Sequence, residues 1–159
     1  MFEKVDPRGI ICRHFSTLYN KKTDKPNWSE IVFFYIMPLI IIPLLVYYFE
    51  HTIIEKTTSL LFLGFAVMII FLITALMLLT NSRQLYDDSE KYANRVTLIE
   101  ETGTNISFGI LVCFLGIIFS IISVGSASVI VTSLVYYLSV IFVHILLMVN
   151  KRIDKIIRG

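Results

Sequence analysis

A row of small and weakly polar side chains runs along the third apolar stretch of this chain: Asn105, Gly109, Cys113, Gly116, Ser120, Ser123 and Ala127. At 100° per residue on a helix they fall within about 40° of one line, and the remaining faces are Ile, Leu, Val and Phe. Such a stripe has two uses. It lets a neighbouring helix approach closely, as small-xxx-small patterns do, or it lines a path for water and ions in an oligomer, with Asn105 at the mouth. The fourth stretch carries Ser133, Tyr137 and His144 along one face. A histidine at membrane depth is a functional candidate, although a neutral His bonded to Ser or Tyr on a neighbouring helix is the commoner arrangement. A third group is cationic. Arg83, Lys91 and Arg95, with Arg13 and His14, form a set able to receive an anionic ligand such as a nucleotide, or to contact a partner. Positive-inside topology and lipid headgroups account for the same charges equally well.

Other chemistry is not expected. His14, His51 and His144 stand on different elements, and Cys12 and Cys113 are far apart. Neither a metal centre nor a disulfide follows from that spacing. There is no glycine-rich phosphate loop and no hydrolase or kinase motif, so we expect no catalytic residue, no cofactor and no enzyme. The cluster Asp87, Asp88 and Glu90 reads as a solvated helix surface. No apolar stretch contains Asp, Glu, Lys or Arg between its ends, which argues against an ion-coupled transporter, since those need a buried ionisable partner. The small four-helix multidrug exporters, which depend on a membrane-embedded glutamate, are disfavoured for the same reason.

The elements that must position these residues are membrane helices. From Thr102 to Asn150 there is no charged residue, and Gly125-Ser126-Ala127-Ser128 is the only punctuation. A bilayer core of ~30 Å takes roughly 20 residues of helix, so this interval reads as a hairpin of two spans. The whole chain of 159 residues is 56% hydrophobic and 16% charged, with mean hydropathy +0.77. The pattern predicts an all-α, integral membrane, four-helix protein: spans at about 31–49, 57–80, 106–124 and 128–149, an N-terminal amphipathic segment over 1–28, and a helical insert at 81–104. Asp6-Pro7 starts the N-terminal helix, with Ile11, Phe15, Leu18 and Tyr19 on its apolar face and Arg8, Arg13, His14 and Asn20 mostly elsewhere. It reads as a membrane-surface stabiliser or as a plug. Trp28 anchors the first span at the headgroups, and Pro38 and Pro43 predict a bend within it. In the insert, Leu85, Tyr92, Val96 and Ile99 recur at helical spacing. Asp87 and Lys91 form an i, i+4 pair, and Thr102–Asn105 is expected to break this helix before the third span.

Thirteen of the fourteen Lys and Arg lie before the first span, in the insert or after the fourth span. That asymmetry puts both termini and the insert on the cytoplasmic side of the membrane. A net charge of +2 is too small to suggest nucleic-acid binding.

With the amphipathic preface Pro7–Asn20, the basic linker into Trp28-Ser29-Glu30 and the insert Leu85–Thr104 feeding the third span, the layout resembles the small multi-spanning membrane effectors of bacterial antiphage systems. The membrane effector of the Hailong system is the nearest in texture, and the membrane subunit of the Kiwa system is a second. The resemblance implies a homo-oligomeric channel controlled by the nucleotide product of a partner enzyme, with a cell-killing or membrane-depolarising role. The expected function is therefore a triggered pore that dissipates ion gradients. The alternative is a non-conducting membrane anchor or sensor that recruits a cytosolic partner through residues 81–104.

Overall fold

The computed structural model describes residues 7–20, 25–49, 55–84, 93–126 and 128–158. Within these, the side chains at 20, 25, 55–59, 82–84, 93–95, 157 and 158 are not described. The described chain is all-α, with five helices, four of them long and apolar enough to cross a membrane. The N-terminal helix is Pro7–Ser16. It turns back through a two-residue antiparallel ladder that pairs Tyr19 with Pro26 and Asn20 with Lys25. Span one is Trp28–Tyr48, span two Leu60–Asn81, span three Val96–Ser126 and span four Val129–Ile156. A chain with four such helices is a multi-pass membrane protein.

The spans form a row rather than a ring. Span two packs on span three, three on four, and four on one, while spans one and two share no comparable contact among the described residues. Leu72, Ile106, Val135 and Ile145 are fully buried where spans two, three and four meet. The outer faces are apolar: Leu44, Ile70, Ile118, Ile130 and Leu147 are all at least half exposed. Hydrocarbon offers no hydrogen bonds, so an apolar outside with every backbone group bonded within its helix is what lipid requires.

Span one answers its prolines with a π-helical turn. Val32–Ile36 is π-helix, set between α-helical Trp28–Ile31 and Met37–Tyr48. Pro38 has no N–H for the carbonyl four residues back, and the widened turn lies just ahead of it, where the Met37 N–H bonds the Val32 carbonyl five residues back. Tyr35, the only buried residue of this turn, is carried inward by it.

Span three departs from expectation at Thr102–Asn105. The helix runs unbroken from Ala93 to Ser126. Thr102 donates to the Leu98 carbonyl at 2.6 Å, Thr104 to Glu100 at 3.0 Å and Ser107 to Gly103 at 3.0 Å. These hydroxyls are spent along the helix itself instead of on a turn. Thirty-four residues make a helix of ~50 Å, well beyond the ~30 Å of a bilayer core, so one end projects. The Asp87–Lys91 pair and residues 85–92 of the insert lie outside the described residues.

Candidate functional site

The N-terminal helix is a wedge between spans one and three, and His14 is its point. The periodicity of its apolar residues sets His14 mostly off the apolar face. His14 is nevertheless fully buried, together with Leu18 of that face, while Ile11, Phe15 and Tyr19 are exposed. The reason is that the interior at this level is polar. His14 Nδ1 lies 2.8 Å from Asn105 Oδ1 on span three, and Nε2 lies 2.7 Å from the Tyr35 hydroxyl on span one. The ring stacks on Phe108 at 3.9 Å between centroids. In this arrangement the neutral ring donates from Nδ1 to the amide oxygen and accepts from tyrosine at Nε2. The hydroxyl of Thr17 lies 3.0 Å from the same amide oxygen and 2.8 Å from the His14 carbonyl.

One atom of this network is orphaned. Asn105 Nδ2 is buried without a hydrogen-bond partner. Turning the amide over would swap the histidine tautomer and leave Oδ1 unpaired in its place, so Asn105 holds one surplus polar atom in either orientation. Burial pushes the His14 imidazole down from 6.5 to about 4; the Asn105 bond opposes this, and the positive charge of Arg152 reinforces it. The docked histidine is thus neutral at physiological pH.

Arg152, on span four, ties the wedge from below. Its Nη2 donates to the Thr17 carbonyl at 3.1 Å and lies 3.5 Å from a carboxylate oxygen of Glu101. The N-terminal helix is therefore held by spans one, three and four at once.

The rest of the stripe on span three has different company. A Cβ on Gly116 would come within 2.6 Å of the Phe65 ring of span two, and one on Gly109 within 3.1 Å of Leu72 and 3.2 Å of Ile145. Cys113, Ser120 and Ser123 are buried as well, and the Ser123 hydroxyl is satisfied by the Ser120 carbonyl at 2.9 Å. Within this chain the stretch is the close-packing surface for spans two and four.

On span four, Ser133 donates to its own helix at the Val129 carbonyl, 2.7 Å away. The Tyr137 hydroxyl reaches the Tyr35 carbonyl at 3.3 Å. His144 stacks on Phe34 at 3.8 Å and meets Tyr35 edge-on; its Nε2 has no hydrogen-bond partner, where a Ser or Tyr was expected. It lines an apolar cleft of about 810 Å³ between spans one and four. Arg13 is exposed, beside a separate cavity with Thr80 and Glu100. Lys91 and the side chains of Arg83 and Arg95 lie outside the described residues. No group of His, Cys, Asp and Glu able to hold a metal occurs among the described residues.

Sequence reasoning missed Tyr35, Thr17, Phe108 and Arg152 as a set. Tyr35 left one trace: a hydroxyl set in an apolar span, three residues before a proline, needs a buried partner. No protein-family model matches this chain, nor does any curated protein or solved structure.

Proposed function

We propose that this protein is a subunit of a homo-oligomeric membrane pore whose N-terminal helix is the latch. The observation that carries the reading is His14, a titratable side chain of an element outside the four spans, seated between spans one and three by hydrogen bonds at both ring nitrogens. An element that served only to lie on the membrane surface would have no use for such a contact. Withdrawing the helix would expose Asn105 and Tyr35 to water and open a polar entrance at that end of the bundle. In the proposed topology this end faces the cytoplasm of a bacterium, where a nucleotide signal or a partner enzyme would reach it. The trigger acts only if it binds the undocked state better than the docked one. The resemblance to antiphage membrane effectors supports a role in defence through loss of the inner-membrane gradient.

One observation favours the second reading, a non-conducting anchor or sensor. The stripe from Gly109 to Gly116 is already filled by Phe65, Leu72 and Ile145 of its own subunit, and the outward faces are apolar. The two readings part on flux. Purified protein in liposomes should release trapped ions faster when His14→Ala frees the helix than when the latch is intact. Ion retention by both proteins, with the helix shown to be undocked in the variant, would leave the anchor reading standing.

A further inference from the structure

The strongest further feature is a cavity of about 350 Å³ beside the latch, sharing Arg152 with it, at the Lys155 end of span four. Lys151, Arg152 and Lys155 line it, with Tyr19, Asn27 and Glu30. Lys151 and Lys155 are one turn apart on the same helical face, and Arg152 is next to the first of them. Three cations therefore converge on one recess against two carboxylates, Glu30 in its wall and Glu101 paired with Arg152.

Arg152 is the telling member. Its Nη2 is tied to the Thr17 carbonyl and to Glu101, which fixes the plane of the guanidinium. Its Nη1 is buried and has no hydrogen-bond partner. A buried cationic N–H left unpaired is costly, and such groups are normally satisfied by an acceptor. Arginine's planar fork is suited to the oxygens of a phosphate, and the two lysines add point charge at the open side. Apolar ligands are poorly served here, because the recess is lined mainly by charged and polar groups.

We propose that this cavity binds a phosphate group, with the Arg152 guanidinium forming its cationic wall and Lys151 and Lys155 neutralising its charge. The phosphate belongs either to an anionic lipid headgroup or to a soluble phosphate compound; both present the same oxygens to the same three cations. The site stands whether or not the protein conducts, and its test reads binding alone.

The test uses the full chain in nanodiscs. In one arm the bilayer is phosphatidylcholine and inorganic pyrophosphate is titrated by calorimetry. In the other, phosphatidylglycerol is mixed into the bilayer and the lipid retained by the protein is counted by native mass spectrometry. Lys155→Gln and Arg13→Gln are compared, because each removes one exposed cation and Arg13 lies on a different cavity. Lys155→Gln should weaken binding about tenfold, the loss of one charge-assisted contact, while Arg13→Gln changes it less than about twofold. Binding in the lipid arm alone assigns the site to a headgroup; binding in the pyrophosphate arm alone assigns it to a soluble ligand. Absence of binding in both arms, or equal loss in the two variants, overturns the proposal, the latter because it means diffuse surface charge.

Discussion

The two ends of the small-residue stripe on span three meet opposite kinds of partner. At Asn105 the partners are polar, and the closest of them, His14, comes from a helix outside the four spans. From Gly109 to Gly116 the partners are Phe65, Leu72 and Ile145, large apolar side chains of the neighbouring spans. The first contact is made of a few hydrogen bonds around a titratable ring, so it can be undone by a proton or a competitor. The second is steric: bulk on one helix fills the absence of bulk on the other, and nothing short of separating the helices undoes it. A run of small residues therefore does not say what it is for; what fills it does.

The steric end should break most severely. A Cβ at Gly116 would sit 2.6 Å from the Phe65 Cζ. Gly116→Leu has no room without parting spans two and three, and should cost about 3 kcal/mol or more, seen as loss of the folded fraction in a detergent unfolding titration. Gly116→Ala should cost less. Phe65→Leu, which withdraws the ring, should restore part of that loss in the double variant, and additive losses would show that Phe65 is not the obstacle.

The polar end should break with acid. Docked His14 titrates at about 4 against 6.5 for a free histidine, so the docked state binds fewer protons than the undocked one. Docking is at full strength above pH 6.5, weakens as the pH falls toward 4, and changes no further below that. The span between the two values corresponds to at most about 3 kcal/mol of docking free energy. Cys12 is exposed on the wedge and Cys113 is buried, so an environment-sensitive thiol dye reports on the wedge alone. Its emission should shift between pH 6.5 and 4. A dye signal flat across that window would separate the histidine from the docking equilibrium.

Removing the ring sharpens the same contrast. His14→Ala leaves the Tyr35 hydroxyl without its bond to the ring, leaves both ends of the Asn105 amide under-satisfied, and takes away the stack on Phe108. The wedge should be weakened by roughly 2 kcal/mol at neutral pH. The variant should also lose the histidine component of the acid response while any carboxylate titration remains. The bundle itself, read by far-ultraviolet circular dichroism, should be unchanged, since no span depends on His14 for its own helix.

How far the residues announced this division differs between its two halves. The spans were legible because hydropathy over some twenty residues is a strong signal, and the chain has no charge from Thr102 to Asn150. The steric end was half legible: a line of Gly, Cys and Ser predicts close approach but does not name Phe65, which sits in a span of nearly uniform Leu, Ile and Phe. The seat of the wedge was not legible. Hydrophobic periodicity groups Ile11, Phe15, Leu18 and Tyr19 on one apolar face and sets His14 mostly off it, and it cannot show that His14 is buried with Leu18 because its ring finds Asn105 and Tyr35 on two separate spans. The helix break at Thr102–Asn105 failed for a related reason. Threonine and glycine mark turns in water, but here the hydroxyls of Thr102 and Thr104 fold back on the carbonyls four residues earlier and the helix continues through Gly103.

The smallest expected effect lies away from both ends, at Tyr137 on span four. Its hydroxyl reaches the Tyr35 carbonyl at 3.3 Å, a long contact, and the residue is only part-buried. The carbonyl belongs to the π-helical turn that carries Tyr35 inward, so the bond could matter either as a brace for that turn or as a minor satisfaction of a polar tip. Length and exposure favour the second. Tyr137→Phe should cost about 0.5 kcal/mol, with no change in the acid response of the Cys12 dye. If it moved the midpoint of that response, the turn would be under tension from span four, and His14 would be held by a partner three helices wide instead of by Tyr35 and Asn105 alone. Because the variant keeps the ring and removes only the oxygen, the shift would report on that one bond and not on repacking around it.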